Sequence, residues 1–322
     1  IDRSLVGSEM CIRDRTLIAD LGATNARITI ANNLGKLILK AEYKFRDFNT
    51  INDLLNHYFF EHNVTNNSLS GILGVASPVI DDNIGFINSH LSFNIKEIQK
   101  NYFPNGLKVL NDVQLQINAL KNYPKESMIL IGNNNDFGND TKILIVPGTG
   151  LGLGILNNNN SIATEAGHIN LPNNDSFLKK ILESFYKEHN RAATFEDLLS
   201  GKGISFIYGH LSGNKTHNLC NEDILNNKFN DNYCLKVKEL LIRILAIFSR
   251  YGALSIGSLG GVYLSGSLTN TLLDENNFFE FRRIFEDSKT MKKFLQKIPI
   301  FLIDDNELGF KGAIEVMRDE NY

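Results

Sequence analysis

The sequence predicts an α/β protein of two domains. Three observations carry this expectation. Short apolar runs of strand length alternate with longer segments of helical periodicity. The chain has 322 residues, 43% of them hydrophobic, which is more than one compact core usually needs. A strand–turn–strand unit occurs twice, as IADLGATNARITI and ILIVPGTGLGLGIL, each with small residues and a threonine in its turn. An internal duplication, with a ligand held between the two turns, accounts for the repeat.

The elements follow in order. Thr16–Asp20 is an apolar run that ends in Asp and then Gly, a buried strand entering a turn. Arg27–Ala31 and Lys36–Tyr43 are strands joined by the turn Asn32–Gly35. Asn49–Asn63 places Ile51, Leu54, Leu55, Tyr58 and Phe59 on one helical face. Leu69–Ala76 is a fourth strand, stopped by Ser77-Pro78. Ile95–Phe103 is a short helix, Leu107–Leu110 a fifth strand, and Val113–Asn122 a helical stretch after Asn111-Asp112. The pattern then restarts with the strands Lys142–Val146 and Leu151–Leu156 around the turn Pro147–Gly150. Helices are expected near Asp175–Asn190, Gly203–Leu211, Cys234–Ser258, Phe278–Glu286, Met291–Lys297 and Glu307–Arg318, with strands at Val262–Ser265 and Ile298–Ile303. The asparagine tracts Asn133–Asn135 and Asn157–Asn160 read as surface loops.

Bulk properties exclude several function classes. The formal net charge is -3, and no basic stripe marks a nucleic-acid partner. The apolar stretch Leu235–Ser258 is broken by Lys236, Lys238, Glu239, Arg243 and Arg250, as in an amphipathic helix and not a membrane span. Of Cys11, Cys220 and Cys234, the last two lack the spacing of a zinc site, and the three read as reduced thiols of a cytoplasmic protein. Ser4–Arg15, SLVGSEMCIRDR, resembles translated adapter and mosaic-end DNA of transposase-based sequencing libraries. Ile1–Arg15 is therefore expected to be a non-native scar outside the fold. Arg13, Asp14 and Arg15 interrupt any apolar core of a targeting peptide.

Five segments can carry chemistry. Gly22, Ala23, Thr24 and Asn25 expose backbone N–H groups and a hydroxyl with little bulk, as a phosphate cradle does. Asp20 at the strand end could hold Mg²⁺, directly or through water. An ordinary hairpin turn would look similar. Gly148, Thr149 and Gly150 repeat the same chemistry. Neither turn is a Walker loop, and neither opens a helix as a dinucleotide-binding turn would. Asp112 follows a buried strand, where it could accept a hydroxyl proton as general base or cap the next helix. Glu165 and His168 could bind sugar hydroxyls, although His168 alone suits a structural role equally well. Glu196 by itself suits the first turn of a helix.

Together these segments resemble bacterial glucokinase, of the group without the zinc-binding cysteine motif. LIADLGATNARITI and VPGTGLGLGIL resemble the two phosphate motifs, LNDVQLQINAL the catalytic segment, and TEAGHINLP the sugar loop. FEDLLSGKGI, LGGVYLSGSL and IPIFLIDDNELGFKGAIEVMR continue the likeness, so that it runs from Leu17 to Arg318. The resemblance implies a two-lobed actin-like ATPase (ribonuclease H-like) α/β fold with the active site in the interlobe cleft. The small lobe would be residues 16–110 with 305–322, and the large lobe 111–304. It implies that Asn111 and Asp112 bind glucose, that Asp112 is the base, and that Glu165, His168 and Glu196 hold other hydroxyls. Asp20 would position Mg²⁺. Gly22, Ala23, Thr24 and Asn25 would approach one end of the ATP phosphate chain, and Gly148, Thr149 and Gly150 the other. Gly260, Gly261, Gly266 and Ser267 would lie near the adenosine. Ala23 and Ala166 stand where glycine is typical, as does Ser267. A homodimer is also implied.

Rival expectations are a kinase for fructose, mannose or an amino sugar, a non-catalytic sugar-binding regulator, and an actin-like scaffold. A regulator would usually carry a helix-turn-helix extension. A scaffold would leave Glu165, His168 and Glu196 without a shared purpose.

Overall fold

The computed structural model describes residues 15–22, 24–65, 68–86, 91–134, 138, 140–173, 175–215 and 218–320. The chain forms two compact units. One runs to Lys121 and resumes at Glu307, and the other spans Asn122–Asn306. The division expected after Leu110 thus falls after Lys121, because the segment that follows Leu110 packs on the C-terminal helix of the first unit.

The first unit begins with β1 (Arg15–Leu21), β2 (Asn25–Asn32), β3 (Leu37–Lys44) and α1 (Ile51–Glu61). It continues with β4 (Leu69–Val75), β5 (Asn83–Gly85), β6 (Ser92–Asn94), α2 (Ile95–Tyr102), β7 (Leu107–Asn111) and α3 (Asp112–Ile117). Thr50 and Asp53 form a capping box that starts α1, and the Asn94 side chain caps α2, as short polar residues at N-caps do. The main sheet has the order β3-β2-β1-β4-β7, with β2 antiparallel to both neighbours and β1, β4 and β7 mutually parallel. Arg15 is already part of β1, paired with Asn32 and Leu69. The segment expected to lie outside the fold therefore ends before Arg15, and its residues 1–14 lie outside the described residues.

Strand alternation divides this sheet between two cores. Leu17, Ala19 and Leu21 face Leu54, Leu55 and Tyr58 of α1 and Ile98 of α2. Ile18 and Ile72 face Leu115 of α3 and Phe310, Ala313 and Val316 of the C-terminal helix, Leu308–Glu320. Asp20 is on this second face. Gly309 of the C-terminal helix abuts it, since a Cβ there would come 3.0 Å from Asp20 Oδ2.

The second unit contains β8 (Ile129–Leu130), β9 (Lys142–Pro147), β10 (Leu151–Asn157), β11 (Asn160–Thr164), α4 (Lys179–His189), α5 (Phe195–Leu198), α6 (Gly201–Ser212) and α7 (Asn221–Leu225). It continues with α8 (Asn232–Ile256), β12 (Gly261–Ser265), α9 (Ser267–Leu272), α10 (Phe278–Phe285), α11 (Lys292–Leu295) and β13 (Ile300–Ile303). The C-terminal helix is α12. The sheet order is β11-β10-β9-β12-β13-β8. β10 is antiparallel to β9 and β11, and β9, β12 and β13 are mutually parallel. Apart from the added edge strand β8, this is the arrangement of the first sheet. The duplication expected from the two hairpins thus extends to five strands of each sheet. One core, including Ile145, Leu153, Phe195, Leu198, Leu245 and Phe248, packs the helices against this sheet.

α3 is shorter than its apolar pattern predicts. The Asn118 side chain takes the Gln114 carbonyl at 2.8 Å, and the chain tightens into a 3-10 turn at Asn118–Lys121. Such side-chain bonds compete with the helix ladder. α12 crosses α3 so closely that a Cβ on Gly312 would lie 1.9 Å from the Leu115 carbonyl oxygen. Gly312→Ala is therefore expected to cost about 3 kcal/mol through overpacking, read as a lowered urea midpoint. Gly85→Ala, where an added Cβ meets nothing within 4 Å, is the control and should stay within about 0.5 kcal/mol.

Candidate active site

The first turn joins β1 to β2. Gly22 N–H donates to the Asn25 carbonyl at 3.0 Å, which closes the hairpin. The Thr24 carbonyl accepts from Phe45 N–H at 3.0 Å, and Asn25 Nδ2 donates to Glu42 at 3.2 Å. Ala23 lies outside the described residues. At the stem, Asp20 is 4% exposed and paired with Arg27, the residue opposite it in the β1–β2 register. Burial pushes the Asp20 carboxyl up, and the Arg27 guanidinium pulls it the other way. Arg27 was not among the expected site residues, although the register set by a short turn after Asp20 already places it there.

Asn111 and Asp112 sit where β7 becomes α3. Asn111 is the N-cap, and its Oδ1 accepts from Val113 N–H at 3.0 Å and Gln114 N–H at 3.2 Å. Its Nδ2 donates to the Ser77 carbonyl at 3.5 Å. Ser77 is buried and donates its hydroxyl to the Gly85 carbonyl at 2.8 Å. Asp112 Oδ1 accepts from Val113 N–H at 2.8 Å. Asp112 is half-buried and follows the cap as the first residue of α3, so the capping role that the sequence left open for Asp112 falls to Asn111. Ser77 thus supports Asn111, a role that the strand stop Ser77-Pro78 does not announce in the sequence.

In the second unit, three predicted residues come together. Glu165 precedes and His168 ends a single 3-10 turn, Ala166–His168, with Nε2 of His168 3.7 Å from Oε2 of Glu165. Burial pushes the Glu165 carboxyl up, His168 opposes this, and the charge of Glu196 adds to it. Glu196 lies on α5, whose start is fixed by the Thr194–Asp197 capping box. Leu171 N–H donates to Ala193 at 2.9 Å, and Phe195 N–H to Ile169 at 3.0 Å. These bonds bind the two segments side by side. The Glu165–His168 turn also abuts the start of β10, where a Cβ on Gly167 would lie 2.2 Å from the Leu151 carbonyl oxygen.

The turn Gly148–Thr149–Gly150 joins β9 to β10. Gly148 N–H donates to the Gly150 carbonyl at 2.7 Å, and Gly201 N–H to the Gly148 carbonyl at 3.2 Å. Thr149 is exposed, and an added Cβ at Gly148 would meet nothing within 4 Å. The turn therefore offers an open backbone surface. Glu196 Oε2 accepts from Leu151 N–H at 2.8 Å, a tie between α5 and the residue after this turn that no motif announces.

The four residues expected near the adenosine are divided. Gly266, in the left-handed region at φ 100°, lies beside this turn, since an added Cβ would come 3.1 Å from the Pro147 carbonyl. Ser267 follows it as the first residue of α9. Gly260 and Gly261 sit at the opposite end of β12, where Gly261 pairs with Lys142. They are a strand's length from the turn, about 13 Å at ~3.3 Å per residue. Gly260 is a close backbone crossing, its Cβ position lying 2.1 Å from the Asp140 carbonyl oxygen. The two pairs expected near the adenosine thus lie at opposite ends of β12.

No group of three or more His, Cys, Asp or Glu side chains able to hold a metal occurs among the described residues. This donor set fits Mg²⁺ only as that ion binds beside phosphates, keeping several waters and using one or two carboxylates. Asp20, at the stem of the first turn, is the carboxylate expected for that. No helix among the described residues is long and apolar enough to cross a membrane.

The model of the glucokinase family matches residues 17–320. The chain belongs to the glucokinase family. A glucokinase of Cronobacter sakazakii is 29% identical over 308 residues, covering 92% of this chain and 95% of its own. The crystal structure of a glucokinase from an Antarctic psychrotroph has a TM-score of 0.78 at 22% identity, covering 95% of this chain and 99% of that one. A ROK family glucokinase from Streptomyces griseus, in complex with glucose and AMPPNP, has a TM-score of 0.65 at 15% identity, covering 95% and 99%. The fold is the actin-like ATPase fold expected from the motifs.

Arg191 pairs with Asp197 through two bonds of 2.6 and 2.7 Å, so it braces the capping box that presents Glu196. Hydrogen bonds from Arg191 and Thr194 outweigh burial and hold the Asp197 carboxyl down at about 2. A depressed carboxylate stabilises above its unfolded pKa and loses that contribution as pH falls through the folded one. Asp197→Asn should therefore lower the thermal midpoint at pH 7, at a cost of roughly 1 kcal/mol. The difference from wild type should shrink below about pH 4 and close near pH 2, as followed by circular dichroism melts.

Proposed function

We propose that this protein is an ATP-dependent glucokinase, transferring the γ-phosphoryl group of ATP to the 6-hydroxyl of glucose to give glucose 6-phosphate and ADP. The observation that carries this reading is the gathering of Glu165, His168 and Glu196 against the residue that follows the open Gly148–Gly150 turn. A hexose displays hydroxyls around its rim, and a set of two carboxylates and an imidazole offers acceptors and a donor for them. The adjoining N–H-rich turn suits a phosphate chain.

In this reading Asp112 takes the proton of the 6-hydroxyl, and Asn111 binds the same sugar. Both oxygen lone pairs of the Asn111 amide serve the start of α3, so its contribution to the sugar is an N–H donor. The turns Gly22–Asn25 and Gly148–Gly150 hold the phosphates, and Gly266 and Ser267 approach the adenosine. Mg²⁺, bound to the phosphates and reached from Asp20 through water, would neutralise phosphate charge. Phosphoryl transfer depends chiefly on positioning and charge stabilisation. Holding the acceptor oxygen in line can supply about 7–11 kcal/mol of the barrier reduction. The protein is proposed to act in the cytoplasm as a homodimer.

Asp112→Asn keeps the side-chain shape and removes the proton acceptor. Its kcat in a coupled ADP-release assay should fall at least ~10²-fold, with a smaller change in glucose KM. Activity within a few-fold of wild type would remove Asp112 from this role. His168→Ala should raise the KM for glucose more than that for ATP, because the sugar hydroxyl bound by the imidazole loses its partner. The same assay across glucose, fructose, mannose and amino sugars identifies the substrate. Faster turnover of any of the others would replace glucose in this proposal.

A further inference from the structure

Leu151 is gripped from both sides. Its N–H donates to Glu196 Oε2 at 2.8 Å. Its carbonyl oxygen lies against Gly167, inside the Glu165–His168 turn, so closely that any Cβ there would be 2.2 Å away. The residue that follows the Gly148–Gly150 turn is thus held between the two segments that carry the sugar-binding candidates. Gly150 completes the arrangement, because a Cβ on it would stand 2.8 Å from the same Glu196 oxygen. A side chain at this position would displace the tip of the Glu196 side chain from the turn.

We propose that Glu196 is a positioning residue for the phosphate turn as well as a sugar ligand, and that through it the hexose and the nucleotide bind with positive coupling. This rests on the glucokinase reading above. The Glu196 carboxylate orders the turn through Leu151 N–H, yet its negative charge beside that turn opposes an incoming phosphate. A sugar hydroxyl donating to the carboxylate spreads that charge while leaving the Leu151 bond in place. The turn then presents the same amides to the phosphate with less repulsion, which is the differential interaction that coupling requires.

The test is the affinity for AMPPNP by calorimetry, with and without saturating glucose. In wild type, glucose should tighten AMPPNP binding about tenfold. Gly150→Ala, which pushes the carboxylate off the turn, should reduce this to less than about twofold. Retention of the wild-type ratio by a folded Gly150→Ala protein overturns the proposal. So does a wild type in which both ligands bind independently, a result that leaves the kinase reading intact. A wild type that binds no glucose overturns both. Hydrogen exchange at the Leu151 amide, without ligands, provides a second measure that does not require Gly150→Ala to fold. Exchange should be at least about tenfold faster in Glu196→Ala and restored in Glu196→Gln, whose amide oxygen still accepts the bond. An unchanged rate in Glu196→Ala overturns the positioning role.

Discussion

The site depends on how closely two backbones can approach without a side chain between them. Gly167 lets the Glu165–His168 turn rest on the Leu151 carbonyl, and Gly312 lets α12 rest on the Leu115 carbonyl. The first contact sets the distance between the sugar-binding candidates and the start of β10. The second sets α3, and with it the Asn111–Asp112 corner at the end of β7. Interiors are packed so tightly that one methyl group at either crossing must move a whole element. The functional side chains owe their places to residues that have none.

The two hairpins share a sheet plan but not a chemistry. The β1–β2 stem carries the Asp20–Arg27 pair across its register. At the other stem, Val146 and Pro147 supply no charge, and the carboxylate comes from α5 by way of Glu196. Of this pair only Asp20 is buried, and removing Arg27 would strand its carboxylate, which is costlier than losing a surface pair. Asp20 is therefore tied to Arg27 before any ligand arrives. Glu196 is tied to a neutral N–H, and that leaves its charge open to a hydroxyl. Duplication supplied two similar turns, and the surrounding helices made them different.

Much of this was legible in the sequence. Asp20, the small residues of both turns and Asn111-Asp112 were found because apolar strands end abruptly in polar or small residues, a pattern that periodicity reveals. Short elements were harder to read. β8 has only two residues and α5 only four, too few for any period to show. The pair Gly260-Gly261 is placed near the adenosine by resemblance alone, and glycine before a strand has the same signature whether a ligand or another backbone fills the space. Deciding which requires knowing the strand's direction and its partner, and Gly261 opposite Lys142 supplies both. The Glu196–Leu151 bond spans 45 residues and depends on a backbone group, to which side-chain patterns are blind.

The return of α12 to the first unit has a bearing on how the molecule comes into being. The face of the first sheet that carries Ile18 and Ile72 is covered by α3 and by Phe310, Ala313 and Val316. On the ribosome, roughly 190 residues separate Lys121 from Glu307, a delay of about 10–40 s at ~5–20 residues per second. The second unit is continuous in sequence and can close as soon as it emerges. The first waits with half a core open to water, so the order of birth along the chain is the reverse of the order of completion.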